Sequence, residues 1–458
     1  MLKINLESIS AMHLSLSRSL LVLACAALPI SAHAIDIQRW HTADGTQVLL
    51  VARHDNPIVD VQISFKGAGA AFNPPGKGEV ADFTAAILTD GTRTLDEEAF
   101  NARANDLAAD IGSSSSDEGA SIRLRSLSRA EVLQPALKLV NQSLTEPRFD
   151  AEVFRRRQNQ SVTALQQNET DPAFVADRAA TLLDYPDHPY GSSARTNAQS
   201  LRAVTLADIR AFHRSRYGKN NAIVAVVGDI DRRQTEALVQ TVLAGLPAKS
   251  SRSAAVPPVP ERNAQRRDIP FAAEQAQIVM SMPLIRRDDP DYYALVVGNY
   301  ILGSGGFDGR LMKTLRDQYG YTYGAYSNLA PATEAGAFSI AFSTQKTNAA
   351  PALAAAQKVL ADFVAEGPTE AELQQAKSNL VGTFPLRFDT NAKLLQYLSL
   401  IGFYNLPDDY LEAYPKAVAA ISSAQIKAAW QRRVQPQNMN IVVVGADAPK
   451  NTDAQSKK

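Results

Sequence analysis

The chain has one cysteine, Cys25, among its 458 residues. A disulfide framework is thereby excluded, and the fold must stand on its hydrophobic cores. A charge bias is missing too: Lys+Arg and Asp+Glu both number 47, a formal net charge of zero, so nothing favours a nucleic acid or an anionic membrane as partner. Histidine is scarce. Beyond residue 34 only His41, His54, His188 and His213 remain, and no two stand three or four apart, the spacing that aligns two imidazoles on one helix face. Past the leader, no segment is long and apolar enough to span a bilayer, which takes about 20 residues. Hydrophobic residues at 45% and charged residues at 21% describe an ordinary globular chain. Its length exceeds what one core usually supports, so two domains are expected.

The first residues read as a leader. Arg18 precedes Leu20, Leu21, Val22 and Leu23, and an Ala-rich run ends at Ala32-His33-Ala34. A basic start, a short apolar core and small residues at an A-x-A site describe a secretory signal, expected to be cut after Ala34. Met12 is an alternative start to Met1. Val22-Leu23-Ala24-Cys25 is a poor lipidation site, having Leu where a small residue is expected. The expected location is the periplasm, with residues 1–34 removed.

What is present is a repeat. Residues 204–230 read VTLADIRAFHRSRYGKNNAIVAVVGDI and residues 421–447 read ISSAQIKAAWQRRVQPQNMNIVVVGAD. Gly228 matches Gly445, an offset of 217 (445 − 228), which also pairs Ile209 with Ile426, Arg216 with Arg433 and Asn221 with Asn438. Each copy reads as a helix, a turn and an apolar β-rich run ending at Gly. Pro135-Ala136-Leu137 and Pro351-Ala352-Leu353 each open an amphipathic helix, after strand-like alternation at Ile122 and Leu124 in one copy and Phe338, Ile340 and Phe342 in the other. So long a repeat means duplicated domains, since solenoid periods run about 20 to 50 residues.

The expected organisation is therefore a domain over residues 35–247, a Pro- and Ser-rich linker over 248–267, a second domain over 268–447 and a disordered tail over 448–458. Mixed strands and long helices make the class α+β: two homologous domains, each a twisted, mainly antiparallel sheet packed against helices. In the first half, Val48–Val51 and Val59–Phe65 alternate as a strand pair, a helix follows over residues 79–88, and Gly91 closes it.

The run Phe65-Lys66-Gly67-Ala68-Gly69, then Asn73-Pro74-Pro75-Gly76-Lys77-Gly78 and EVADFTAAILTDGTRT, resembles the opening of the pitrilysin/insulinase-type zinc peptidases, which include the mitochondrial processing peptidases. In active members the helix carries H-x-x-E-H, two histidines one turn apart holding zinc and a Glu as general base. The resemblance places Asp82, Ala85 and Ala86 at those positions, or Ala81, Thr84 and Ala85 if the register shifts by one. The third ligand, a Glu further on, falls at Ala164 within SVTALQQNETDP. No metal ligand and no base are supplied. His188, in Asp187-His188-Pro189-Tyr190-Gly191, also matches the family, where a structural or surface role is expected; His213 is expected on a surface helix.

In the second half the family pattern is kept. Leu302-Gly303-Ser304-Gly305-Gly306-Phe307-Asp308-Gly309-Arg310-Leu311 leads to Leu315-Arg316 and to Gly320-Tyr321-Thr322-Tyr323, with Asp317 where Glu is usual and Tyr321 where Leu is usual. Tyr321 could narrow the adjoining pocket. The resemblance implies that Arg316 and Tyr323 hold substrate backbone and stabilise an oxyanion across a cavity from zinc. The plainer readings are a cation favoured by a helix C-terminus for Arg316 and simple packing in a Tyr-rich strand for Tyr323. The Gly-rich loop lacks the Lys-Ser/Thr of a phosphate-binding loop, and no Gly-x-Ser-x-Gly elbow is present.

With the zinc motif lost and the Arg/Tyr pair kept, the resemblance implies a subunit without its own active centre. It would have no cofactor in this chain, zinc in a homologous partner and a peptide as substrate. The alternative is a non-proteolytic peptide-binding or scaffold protein of the same fold. An autonomous metallopeptidase with a novel site would require stoichiometric zinc in the purified chain.

Overall fold

The computed structural model describes residues 35–447; the expected leader and tail lie outside the described residues. Eleven strands are described: β1 Gln38–His41, β2 Gln47–Ala52, β3 Ile58–Lys66, β4 Asp110–Ser115, β5 Gly119–Leu127, β6 Ala222–Gly228, β7 Arg266–Ile269, β8 Gln275–Ile285, β9 Ala325–Leu329, β10 Gly336–Gln345 and β11 Asn440–Val444. They build two sheets of order β1-β2-β6-β3-β5-β4 and β7-β11-β8-β10-β9. All neighbours are antiparallel except β2 with β6 and β7 with β11.

The duplication is visible strand by strand, with β2, β6, β3, β5 and β4 in the order of β7, β11, β8, β10 and β9. The offset of 217 maps the Leu206–Arg216 helix onto the Ser423–Arg433 helix, and the Lys219–Asn221 turn onto the Pro436–Asn438 turn. Thr205 and Ser422 each cap their helix with a reciprocal capping box, which fixes both N-termini in the same way. Pro351 lies in the first turn of its helix, Ala349–Glu366, whereas Pro135 sits further inside Ala130–Thr145 than a helix-opening residue would.

Two expectations need correction. Val48–Val51 and Val59–Phe65 are strands but not partners, because β6, distant in sequence, inserts between them. The linker is not free, and its last residues, Arg266 and Arg267, already belong to β7. Val256 is buried, and the Pro257 carbonyl accepts from His188 Nε2 at 2.8 Å.

The strand β6 (AIVAVVG) is buried throughout, which explains its unbroken apolar run: both faces of the sheet are covered. One cover is the Asn391–Phe403 helix, contributed by the other half of the chain, which crosses β2, β6 and β3. Its Gly402 permits the approach, since a Cβ there would lie 2.6 Å from Leu49 Cδ1 and 2.7 Å from Ile223 Cγ2. The exchange is reciprocal. The Pro172–Asp184 helix of the first half lays Ala176, Ala179 and Ala180 on Val279, Val442 and Val444 of the second sheet. Small side chains on the crossing helix bring the backbones close. Each sheet is thus completed by the other half, and together they form one compact unit.

Candidate functional site

The helix Val80–Ile87 (VADFTAAI) buries Val80, Phe83, Thr84 and Ile87 and begins at Glu79, whose φ of 58° is left-handed. Asp82 lies in its first turn, where a carboxylate meets the positive helix end. Ser115 of β4 hydrogen-bonds the Asp82 carboxylate; surrounding protein nevertheless raises its pKa, desolvation outweighing that bond. Ala85 is buried and Ala86 half-buried. Thr84, the alternative-register position, donates its hydroxyl to the Val80 carbonyl at 2.6 Å.

Ala164 lies on an exposed face of the Ala151–Asn168 helix, in a shallow groove with Gln160 and Gln167. From that helix it is Ser161 that bonds Glu79, and Arg157 that pairs with the buried Asp90 beyond the end of the Val80–Ile87 helix. The metal-ligand frame therefore persists as two helices tied by polar bonds. The donor set does not fit zinc: alanine methyls at residues 85, 86 and 164 offer no lone pair to a metal or a water. Among the described residues no three His, Cys, Asp or Glu side chains converge on a possible metal position.

The histidines are accounted for separately. His54 Nδ1 meets Asp229 at 2.7 Å on the surface. His188 accepts from the Tyr190 N–H at Nδ1 (3.2 Å) and donates from Nε2 to Pro257, so it is the neutral Nε2–H tautomer and fastens the linker. His213, expected at the surface, is instead buried, with Nε2 at 2.9 Å from the Leu144 carbonyl and its ring against Phe149 and Tyr217. Burial pushes its pKa down to about 4.

The β4–β5 hairpin supplies what the sequence reading missed. Its turn carries Asp117 and Glu118 and is gripped by the Phe65–Gly69 segment: Gly67 N–H donates to the Glu118 carbonyl at 2.8 Å and Ala70 N–H to the Ser116 carbonyl at 2.9 Å. Gly69 allows this, because a Cβ would sit 2.3 Å from Ser116 O. The Asp117 carboxyl is pushed up to about 6 by desolvation and by the charges of Glu118 and Asp82. Glu118 is buried and accepts from Tyr190 Oη at 2.5 Å, Thr333 N–H at 3.1 Å and Tyr404 Oη at 3.0 Å. The only sequence signal was an acidic pair in a Ser-rich turn.

Arg316 lies within a π-helical turn, Lys313–Gln318; a second, Tyr300–Ser304, runs into the Gly-rich loop. Such wide turns recur at functional sites. The Arg316 guanidinium lies 4.8 Å from the Phe307 ring centroid, and among the described residues it has no carboxylate partner. Tyr323 precedes β9 and is not within a strand; at 87% exposure it packs against nothing, which overturns the packing reading. Tyr321 stacks on Tyr319 with centroids 5.2 Å apart. Phe307, Tyr319, Tyr323 and Tyr326 are all exposed, and of these it is the Phe307 ring that lies against Arg316.

Two cavities share Gln396 and Leu400 of the Asn391–Phe403 helix. One of about 300 Å³ is lined by Ser114, Ser115, Ser116 and Tyr404; the other, about 680 Å³, is lined by five tyrosines, Arg287, Arg387 and apolar side chains. Arg316 and Tyr323 line neither.

Residues 203–380 match the model of the peptidase M16 inactive domain. A solved structure described as a peptidase M16 inactive domain from Pseudomonas fluorescens is 34% identical, with a TM-score of 0.86, over 90% of this chain and 98% of that one. The "Non-peptidase homolog YmxG" of Helicobacter pylori is 24% identical over 83% of this chain and 87% of its own length. The periplasmic protease PqqL of Escherichia coli shares the fold, with a TM-score of 0.76 at 17% identity; this chain covers 46% of its length.

Proposed function

Because the chain belongs to the M16 peptidase family, as a member of the inactive type, we propose that it is the non-catalytic subunit of a two-chain zinc peptidase of the periplasm. The observation that carries the proposal is a contrast between the halves. Where the metal ligands and base should stand there are Asp82, Ala85, Ala86 and Ala164, while Arg316 and Tyr323 are kept, Arg316 half-buried and Tyr323 held out to solvent. A tyrosine exposed at 87% contributes nothing to folding, so its retention beside Arg316 points to a partner or substrate outside this chain.

In this reading a homologous subunit supplies zinc and the general base. Arg316 donates to substrate backbone, and the Tyr323 hydroxyl stabilises the developing oxyanion in a cavity shared by the two chains. The substrate is an extended peptide. The edge strand β4, bonded only to β5, offers it a free row of backbone groups beside Asp82 and Ser115. Among the described residues no helix is long and apolar enough to cross a membrane.

The test is affinity capture of the tagged chain from native periplasm, with mass spectrometry of what co-purifies. A stoichiometric partner bearing H-x-x-E-H supports the subunit reading; recovery of this chain alone overturns it. The name of the Helicobacter pylori relative favours a second reading, a non-proteolytic peptide-binding or scaffold protein. That reading predicts capture without such a partner.

A further inference from the structure

The cavity of about 680 Å³ in the second half has a polar inventory that the protein leaves unused. Arg287 lines it with a buried Nε that has no hydrogen-bond partner; its Nη1 donates to Tyr292 Oη at 3.2 Å and its guanidinium lies 5.0 Å from the Tyr404 ring centroid. Arg387 also lines it and is bonded to Tyr397. Among the described residues neither arginine has a carboxylate at ion-pair distance. Their neighbours differ: Arg286 pairs with Asp288, Arg310 with Glu372, and Arg433 with Asp289 and Asp291.

Neither guanidinium has an opposite charge beside it, so an anion entering the cavity finds two cations free to pair with it. The tyrosines are suited to the same task. Burial pushes the Tyr414 phenol up to about 12 and that of Tyr410 higher, so both remain hydrogen-bond donors. Asn299, also in the wall and buried, leaves its Oδ1 without a partner, an acceptor waiting for an N–H. Val296, Leu329 and Leu380 add an apolar surface. Donors for an anion, an acceptor for an N–H and an apolar wall together match the end of a peptide better than a free inorganic ion.

We propose that this cavity binds the carboxylate end of a peptide. The carboxylate lies between Arg287 and Arg387, the last N–H reaches Asn299 Oδ1, and an apolar side chain lies on Val296 and Leu380. The rest of the peptide runs past Gln396 and Leu400 into the serine-lined cavity beside β4. This deepens, and rests on, the reading of the chain as a peptide-binding subunit.

The test is fluorescence anisotropy of the purified full chain with three labelled octapeptides. One ends in Leu as the free acid, one in the corresponding amide, and one in the amide with a Glu before the Leu. The expected result is at least tenfold tighter binding of the acid than of the plain amide, with the difference abolished in Arg387→Gln and in Arg287→Gln. Tight binding of the Glu-bearing amide, equally sensitive to both substitutions, supports the same carboxylate site with a side chain as its source. Arg387 is exposed, so its substitution leaves folding intact even if that of the partly buried Arg287 does not. Equal binding of all three peptides overturns the carboxylate site and leaves peptide binding standing. A preference that survives both substitutions overturns the assignment to this cavity. Binding of none overturns the site, while the subunit reading is still decided by affinity capture.

Discussion

The Glu118 carboxylate accepts the Tyr404 hydroxyl at 3.0 Å, joining the hairpin of the first sheet to the end of the helix that the second half lays across that sheet. Its other oxygen takes Tyr190 Oη at 2.5 Å and the Thr333 N–H at 3.1 Å, while the Glu334 N–H donates to Tyr190 Oη at 2.9 Å. One buried carboxylate thus gathers donors from both halves. Tyr404→Phe should cost about 1.5–3 kcal/mol, the usual worth of a hydrogen bond to a charged group. Glu118→Ala should cost more, because three donors lose their acceptor. Urea unfolding checks both, and a Glu118→Ala loss no larger than that of Tyr404→Phe would contradict the network.

Gly402 sets how closely the same helix approaches β2 and β6, since its Cβ position is 2.6 Å from Leu49 Cδ1. Gly402→Val forces branched methyls into that contact and should destabilise by roughly 2–3 kcal/mol, in the range of overpacked cores. Gly382, near which a Cβ would meet nothing, is the control. Thermal unfolding of Gly402→Val and Gly382→Val should separate the two sites clearly.

How much of this was legible in the sequence follows from the range of each interaction. The repeat, the Leu206–Arg216 and Ser423–Arg433 helices, and the strands β6 and β11 were legible, because local periodicity and capping boxes fix them. The insertion of β6 between β2 and β3 was not, since strands close in the chain are the natural first pairing and β6 arrives from far along it. Nor was the helix exchange, because the apolar faces of Pro172–Asp184 and Asn391–Phe403 do not say which sheet they cover. At the site, the lost ligands at Ala85 and Ala86 are read directly from residue type, whereas the Glu118 network and the Arg287 cavity depend on contacts between distant segments. The alternative placement of Tyr323 in a strand failed because Tyr321, Tyr323 and Tyr326 mimic a β-rich stretch, yet β9 begins only at Ala325.

Two buried groups give the chain opposing pH dependences. Burial raises the Asp184 carboxyl from 3.8 to about 6, against the bond from Asn440 Nδ2. The native chain therefore holds a proton that the unfolded chain has released, a contribution full below pH 3.8 and lost as pH rises through about 6. His213 behaves in the opposite way. Its pKa falls from 6.5 to about 4, so its contribution is full above pH 6.5 and lost as pH falls through about 4. Asp184→Asn should therefore gain on the order of 2 kcal/mol more, relative to the unsubstituted chain, at pH 7.5 than at pH 4.5. His213→Gln should remove the loss on acidification. Thermal midpoints of the three proteins at both pH values check the signs, and identical shifts at the two pH values would contradict them.

The last prediction separates chemistry from folding. Arg316 is half-buried against the Phe307 ring with no carboxylate partner among the described residues, and Tyr323 is 87% exposed, so both lie at the surface. Arg316→Ala and Tyr323→Phe should leave the thermal midpoint within about 1 °C, because exposed substitutions usually lie within roughly 0.5 kcal/mol. In the complex with a zinc-bearing partner, Tyr323→Phe should lower kcat for peptide hydrolysis by about 10² or more, the cost of removing one oxyanion donor, and Arg316→Ala should raise KM. The split between kcat and KM then assigns the roles. Loss in kcat at constant KM marks a group that acts only in the transition state, as proposed for the Tyr323 hydroxyl. A rise in KM marks ground-state binding, as proposed for Arg316 holding substrate backbone. Unchanged hydrolysis in both variants, with the complex still assembled, would remove this chain from the catalytic machinery.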